Sequence, residues 1–173
     1  MKIILLFLIY SVCGTLLHFT FKLSKNNIVV GIFSAINESV WEHIKILLTP
    51  IFIISFITFV INSNYNFFIL LIELVGAISL IILFYEIKTA IFKNKYGIIN
   101  IISFYITCLL ISFLHFALQD VEVSKIGNGL SFIVVIIIFA MYLTFSIFPL
   151  KHSYFKDPIT GTYGINEYVN KSV

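Results

Sequence analysis

Residues 67–85 read FFILLIELVGAISLIILFY, a stretch with one charged side chain, Glu73. About 20 apolar residues in a helix, rising 1.5 Å each, cover the ~30 Å of hydrocarbon in a bilayer. This segment meets that length, and the rest of the chain repeats it. Upstream, Asn62-Ser63-Asn64-Tyr65-Asn66 is a polar turn. Before it lies a second apolar run, from about Ile44 to Ile61, and at the N-terminus a third, from Ile3 to Phe21. Downstream come Gly97 to Leu118 and about Gly129 to Pro149, followed by a polar, turn-rich tail from Leu150 to Val173. The expected fold is all-α: one domain over residues 1–173, a membrane bundle of about five transmembrane helices (3–21, 44–61, 67–85, 97–118 and 129–149) with a short ordered cytoplasmic tail, 150–173.

Composition agrees. Of 173 residues, 60% are hydrophobic and 11% charged, with a mean hydropathy of +1.08. A soluble domain carries about a quarter charged residues and could not cover this much apolar surface; lipid removes the problem. The lipid bilayer is therefore the first expected partner. Nucleic acid is not one, because the net charge is only +3 and no lysine-rich face with stacking aromatics stands free. Cys13 and Cys108 both lie in apolar runs and read as small buried hydrophobes. No small-x-small cleavage site follows the run after Lys2, so it reads as a retained first span. The absence of Arg, with abundant Ile, Asn, Phe and Tyr, suggests an AT-rich bacterial genome.

The 11 lysines orient the chain. Lys22, Lys25, Lys45, Lys88, Lys93, Lys95, Lys151, Lys156 and Lys171 fall on one side of the expected bundle, Lys2 and Lys125 on the other. The positive-inside rule makes the rich side cytoplasmic, placing the N-terminus outside and the C-terminus inside a bacterial plasma membrane. Polar stripes orient the helices. Ser11, Gly14, Thr15, His18 and Lys22 share a face of the first span. In the fourth, Asn100, Ser103 and Thr107 form one line, while Ile102, Tyr105, Leu109, Leu110, Phe113 and Phe116 suit lipid. Glu73, with Gly76 and Ala77 on its face, marks a close helix approach.

Chemistry concentrates in Asn37-Glu38-Ser39-Val40-Trp41-Glu42-His43. Asn37 is expected to cap a helix whose first turn holds Glu38, with Glu38, Trp41, Glu42, Lys45 and Thr49 on one face and Ser39 and His43 beside them. Pro50 removes an amide and should kink that helix. An interfacial cap, with Glu42 paired to Lys45 or Lys22, is the plain reading. The functional reading is a polar site of His18, Asn37, Glu38, Trp41, Glu42, His43 and Asp157 at the cytoplasmic end, since juxtamembrane acids facing a bundle are functional candidates. His18, Glu38 and His43 are the candidate metal ligands, or groups that share a proton. Glu86 and His152 belong to the same end, and His115 and Asp120 to the opposite one.

The 37–43 stretch and Phe155-x-Asp157-Pro158-x-Thr160-Gly161-x-Tyr163-Gly164 resemble the two signatures of an uncharacterised family of small multi-pass membrane proteins from clostridia and related Firmicutes. That resemblance covers nearly the whole chain and implies placement without a mechanism. Glu38-x-x-x-x-His43 is also similar to an element of the hemolysin III and progestin-receptor-like zinc hydrolases, from which five spans and the lack of a closing His-x-x-x-His depart. No HExxH, paired CxxC, phosphate loop or Gly-x-Ser-x-Gly is present. The reading is a membrane protein that binds a small solute or ion, in transport or as an accessory to another membrane subunit or a second copy of itself. The alternative is a metal- or carboxylate-dependent hydrolase acting on lipid or peptide. The sequence names no cofactor.

Overall fold

The structure is a computed structural model that describes residues 1–62, 64–92 and 98–167. Ser63 of the expected turn, Gly97 at the expected start of the fourth span, Lys93, Lys95, and the tail beyond Glu167, Lys171 included, lie outside the described residues. Among the described residues six α-helices follow one another: α1 (Lys2–Leu23), α2 (Ile28–Phe33), α3 (Val40–Ile61), α4 (Phe67–Phe92), α5 (Ile98–Leu118) and α6 (Lys125–Ile147), then one 3₁₀ turn, Ser153–Phe155. Five of them are long and apolar enough to cross a membrane. They outrun the uncharged stretches: α3 begins before Ile44, and α4 continues past Tyr85.

α1, α3, α4 and α5 form a ring of neighbours, and α6 packs against α4. α3 is the central helix, half buried over its apolar window where the other four are 22–33% buried. Its buried face, with Leu47, Leu48 and Ile51 at 0% exposure, anchors the core. The outward faces of α1, α4, α5 and α6 carry exposed Leu, Ile, Val and Phe, which fits a lipid environment. Of the arc assigned to lipid on α5, Ile102, Tyr105, Leu109, Leu110 and Phe113 are exposed and Phe116 is half-buried.

Pro50 sits inside α3 and cannot donate to the carbonyl of Ile46, one turn back. That carbonyl faces α1 at Gly14, where a Cβ would sit 3.2 Å from the oxygen and 2.4 Å from the Phe104 ring of α5. Glycine lets three helices meet where the proline has opened the hydrogen-bond ladder. The turn before α4 is stitched to the start of α6: Asn128 accepts from the Phe67 amide (2.7 Å) and donates to the Tyr65 carbonyl (3.0 Å).

α2 was not foreseen. Asn27 caps it by accepting from the amides of Val29 and Val30. Its last carbonyls, orphaned by helix geometry, all find donors. The Val30 oxygen accepts from Ser34, that of Gly31 from Lys45 Nζ (2.8 Å), that of Ile32 from the Tyr142 hydroxyl (3.2 Å), and that of Phe33 from Thr49 (2.9 Å). Non-helical backbone next to lipid needs such satisfaction from protein. It supports the buried segment 34–37 that follows.

Candidate functional site

The segment from Ser34 to Ser39 sets the site, and its amides account for its shape. The Ala35 amide donates to the Leu17 carbonyl of α1 (3.2 Å), the Ile36 amide to Glu42 Oε2 (3.0 Å), the Glu38 amide to Asp157 Oδ1 (3.3 Å) and the Ser39 amide to Asn37 Oδ1 (2.9 Å). The α3 cap is Ser39, which accepts from the Glu42 amide, and not the expected Asn37. Asn37 instead folds its amide oxygen onto its own chain, a local bond that competes with capping. Glu38 thus precedes the helix, and Glu42 takes the first-turn position.

From this platform the Glu38 carboxylate stands between two imidazoles. Oε1 is 3.4 Å from His18 Nε2 on α1, and Oε2 is 3.8 Å from His43 Nε2 on α3. The two rings are 5.8 Å apart. His43 Nδ1 lies 2.9 Å from the Ser39 carbonyl, which can only accept, so Nδ1 carries the proton. A neutral His43 then turns its Nε2 lone pair toward the carboxylate. His18 Nδ1 is buried without a partner among the described residues, which leaves Nε2 as the donor toward Glu38. The hydrogen bond from His18, with the more distant charge of Lys22, holds the Glu38 carboxyl below the usual carboxylate range against partial desolvation. An ionised carboxylate facing a lone pair is repulsive until a proton or another positive group enters. The arrangement is suited to taking up a proton or a cation.

The other expected site residues serve as supports. Glu42 is 2% exposed and Lys45 0%; they pair at 2.6 Å, and the Ile36 amide and Gly31 carbonyl complete the network. Trp41 packs among Tyr142, Phe145 and Phe155, with its indole N–H buried and, among the described residues, unpartnered. Asn37 Nδ2 is also buried without a partner among the described residues. Asp157, 2% exposed, accepts from the Glu38, Ile159 and Thr160 amides and from the Thr160 hydroxyl. The tail therefore docks: Phe155 meets Trp41 at 5.2 Å, and Ile165 is buried with Phe21 and Ile36. Glu86 accepts from the Tyr154 hydroxyl (2.7 Å), and His152 is exposed. At the opposite end of the bundle His115 contacts the buried Glu73 at 2.5 Å. Among the described residues no group of three or more His, Cys, Asp and Glu side chains is arranged to hold a metal ion.

Beside Glu38 and His43 opens a cavity of about 360 Å³, closed by α3, α4, α5 and the tail. That is large enough for a small ligand. Its α4 wall is Ile81, Phe84, Tyr85 and Lys88, and its α5 wall Asn100, Ser103 and Phe104. Lys88 was not among the expected site residues. Its signal was the spacing i, i+3, i+4, i+7 from Ile81, hidden because the apolar run was closed at Tyr85.

These features define a class, an all-α membrane protein with a polar cluster and cavity at the end of the bundle that carries the C-terminal segment. Residues 1–165 match a family of unknown function, DUF6512, and the chain belongs to that family. No curated protein and no solved structure matches it.

Proposed function

We propose that this is a five-span protein of the bacterial plasma membrane, N-terminus outside and C-terminus cytoplasmic, that binds a small polar solute or ion in the cavity at its cytoplasmic end. The binding serves transport or an accessory role to another membrane subunit. The observation that carries this is the convergence of His18 and His43 on Glu38, with Glu38 and His43 lining the cavity. Two features add support. Intramembrane and juxtamembrane ionisable groups facing a bundle interior mark solute and proton paths. The backbone around Glu38 is interrupted between α2 and α3, and broken helices are where membrane binding sites are built.

The experiment is a thermal-shift screen of the full chain in detergent against small charged and zwitterionic solutes, run in parallel on Glu38→Gln and His43→Gln. A solute that raises the melting temperature of the wild type should lose its effect in both variants. A shift of equal size in all three proteins would remove Glu38 and His43 from the site and refute the reading.

A further inference from the structure

Among the described residues, Lys88 is a buried cation without a counter-ion. Its residue is 6% exposed, and among the described residues its ammonium has one hydrogen-bond partner, Asn100 Oδ1, at 2.8 Å. All eight Asp and Glu residues of the chain lie in the described part, and none of the ion pairs there includes Lys88. Buried lysines are almost always paired, because an ammonium taken out of water loses several kcal/mol of hydration. The same bundle contains the contrast. Lys45, fully buried, holds Glu42 at 2.6 Å and the Gly31 carbonyl at 2.8 Å. Lys88 has three N–H donors, one of them used, and it lines the cavity.

We infer that Lys88 anchors an oxyanion, a phosphate-type group carried by an amphipathic molecule seated in this cavity. The inference rests on the proposed solute-binding role and names the chemistry of the ligand. Asn100 presents its carbonyl oxygen to Lys88, which leaves its amide NH₂ as a further donor, and Lys156 lines the same cavity from the tail. Ile81, Phe84 and Phe104 supply an apolar wall for the body of the molecule. Glu38 lines the cavity as well, so a positive group on the same molecule is matched and a second negative one is opposed. Phosphoethanolamine has this charge pattern. It occurs both as a free solute and as a phospholipid headgroup, and the cavity lies at the end of the apolar helices, within reach of either.

Two arms separate the sources. O-phosphoethanolamine is titrated against the delipidated full chain in detergent by thermal shift, and native mass spectrometry counts phosphatidylethanolamine retained from vesicles of that lipid. At least one arm should show binding to the wild type. Lys88→Gln should weaken it by about tenfold or more, the loss expected for a charge-assisted bond, while Lys88→Arg retains it. Lys88→Met adds a readout that a structural lysine would not give. Without ligand it should melt at or above the wild-type temperature, because it removes an uncompensated charge, and yet fail to bind. No binding in either arm, undiminished binding by Lys88→Gln, or a lowered ligand-free melting temperature in Lys88→Met would overturn the inference. If Lys88→Gln binds normally while Glu38→Gln does not, the solute site stands without its oxyanion anchor. If both bind normally, both readings fall.

Discussion

Glu38 is held below the ordinary carboxylate range chiefly by His18, and that fixes the sign of its pH dependence. A carboxylate stabilised in the folded state adds stability above its unfolded pKa, and that gain is lost as the pH falls through its own lower value. Melting curves of the wild type and Glu38→Gln should therefore separate at neutral pH and converge on the acid side. Curves that run parallel at every pH would mean that the imidazoles do not engage the carboxylate. The pair Glu42–Lys45 behaves differently because water does not reach it. Removing one partner strands a buried charge, so Glu42→Gln should cost about 3–5 kcal/mol in denaturant unfolding. Replacing both residues by Met should cost markedly less, since no charge is then left unpaired. Equal losses in the single and double variants would contradict the assignment of this pair as a closed structural tie. This contrast also explains why sequence spacing alone could not rank the acids. Glu38 and Glu42 are four residues apart, and only the loop that leads into α3 decides which of them is roofed over by Ile36 and which opens on the cavity.

At the scale of elements, the five apolar helices were legible because lipid allows little else, and so was the inward stripe of α1, whose Ser11 and Gly14 are buried as the spacing requires. The short α2 was not, since IVVGIF has no amphipathic period and six residues are too few to show one. Nor was the Ser39 cap, because Asn37 and Ser39 are both good caps and a tertiary contact from Asp157 decides between them. The tail turn was legible from Asp157-Pro158 and Thr160-Gly161. Gly161 and Gly164 take positive φ values of 71° and 62°, and a Cβ at Gly164 would come within 2.6 Å of Pro149. Docked on Trp41 by Phe155 and on Phe21 by Ile165, the tail contributes roughly 1.5–3 kcal/mol for each side chain fully buried. Truncation after His152 should lower the melting temperature in detergent and expose the chain near Glu42 to protease; unchanged melting and cleavage would show a tail that does not dock. Where α1 crosses α3, Gly14→Leu should destabilise by about 1–3 kcal/mol or more, because the ring of Phe104 can move but the Ile46 carbonyl cannot. Wild-type stability in that variant would contradict the close crossing.

For the whole molecule, the testable property is its orientation in the membrane. α1, α4 and α6 place Leu23, Phe92 and Ile147 at one end of the bundle, and α3 and α5 place Ile61 and Leu118 at the other. Among the described residues, Lys22, Lys25, Lys45, Lys88, Lys151 and Lys156 lie toward the first end, and Lys2 and Lys125 toward the other. Their weights differ: Lys45 is neutralised by Glu42 inside the bundle and Lys151 contacts Glu167, so they contribute less to retention than the lysines near the ends of α1 and α4. Even after discounting these two, four described lysines, Lys22, Lys25, Lys88 and Lys156, stand against Lys2 and Lys125. The bias survives, and it predicts that a reporter active only in the cytoplasm works when fused after Val173. A reporter active only outside should work when inserted at Asn64 or Asn128. Lys88 and Lys22 stand at the end that carries the cavity, so reversing the short-loop charge should act on the site and the orientation together. Adding lysines beside Lys125 should shift a fraction of molecules to the inverted form and hide the cavity from a cytoplasmic solute. If the unmodified protein already gives the reverse reporter pattern, the cavity opens to the outside. The solute of the His18–Glu38–His43 cluster must then be sought in the external medium.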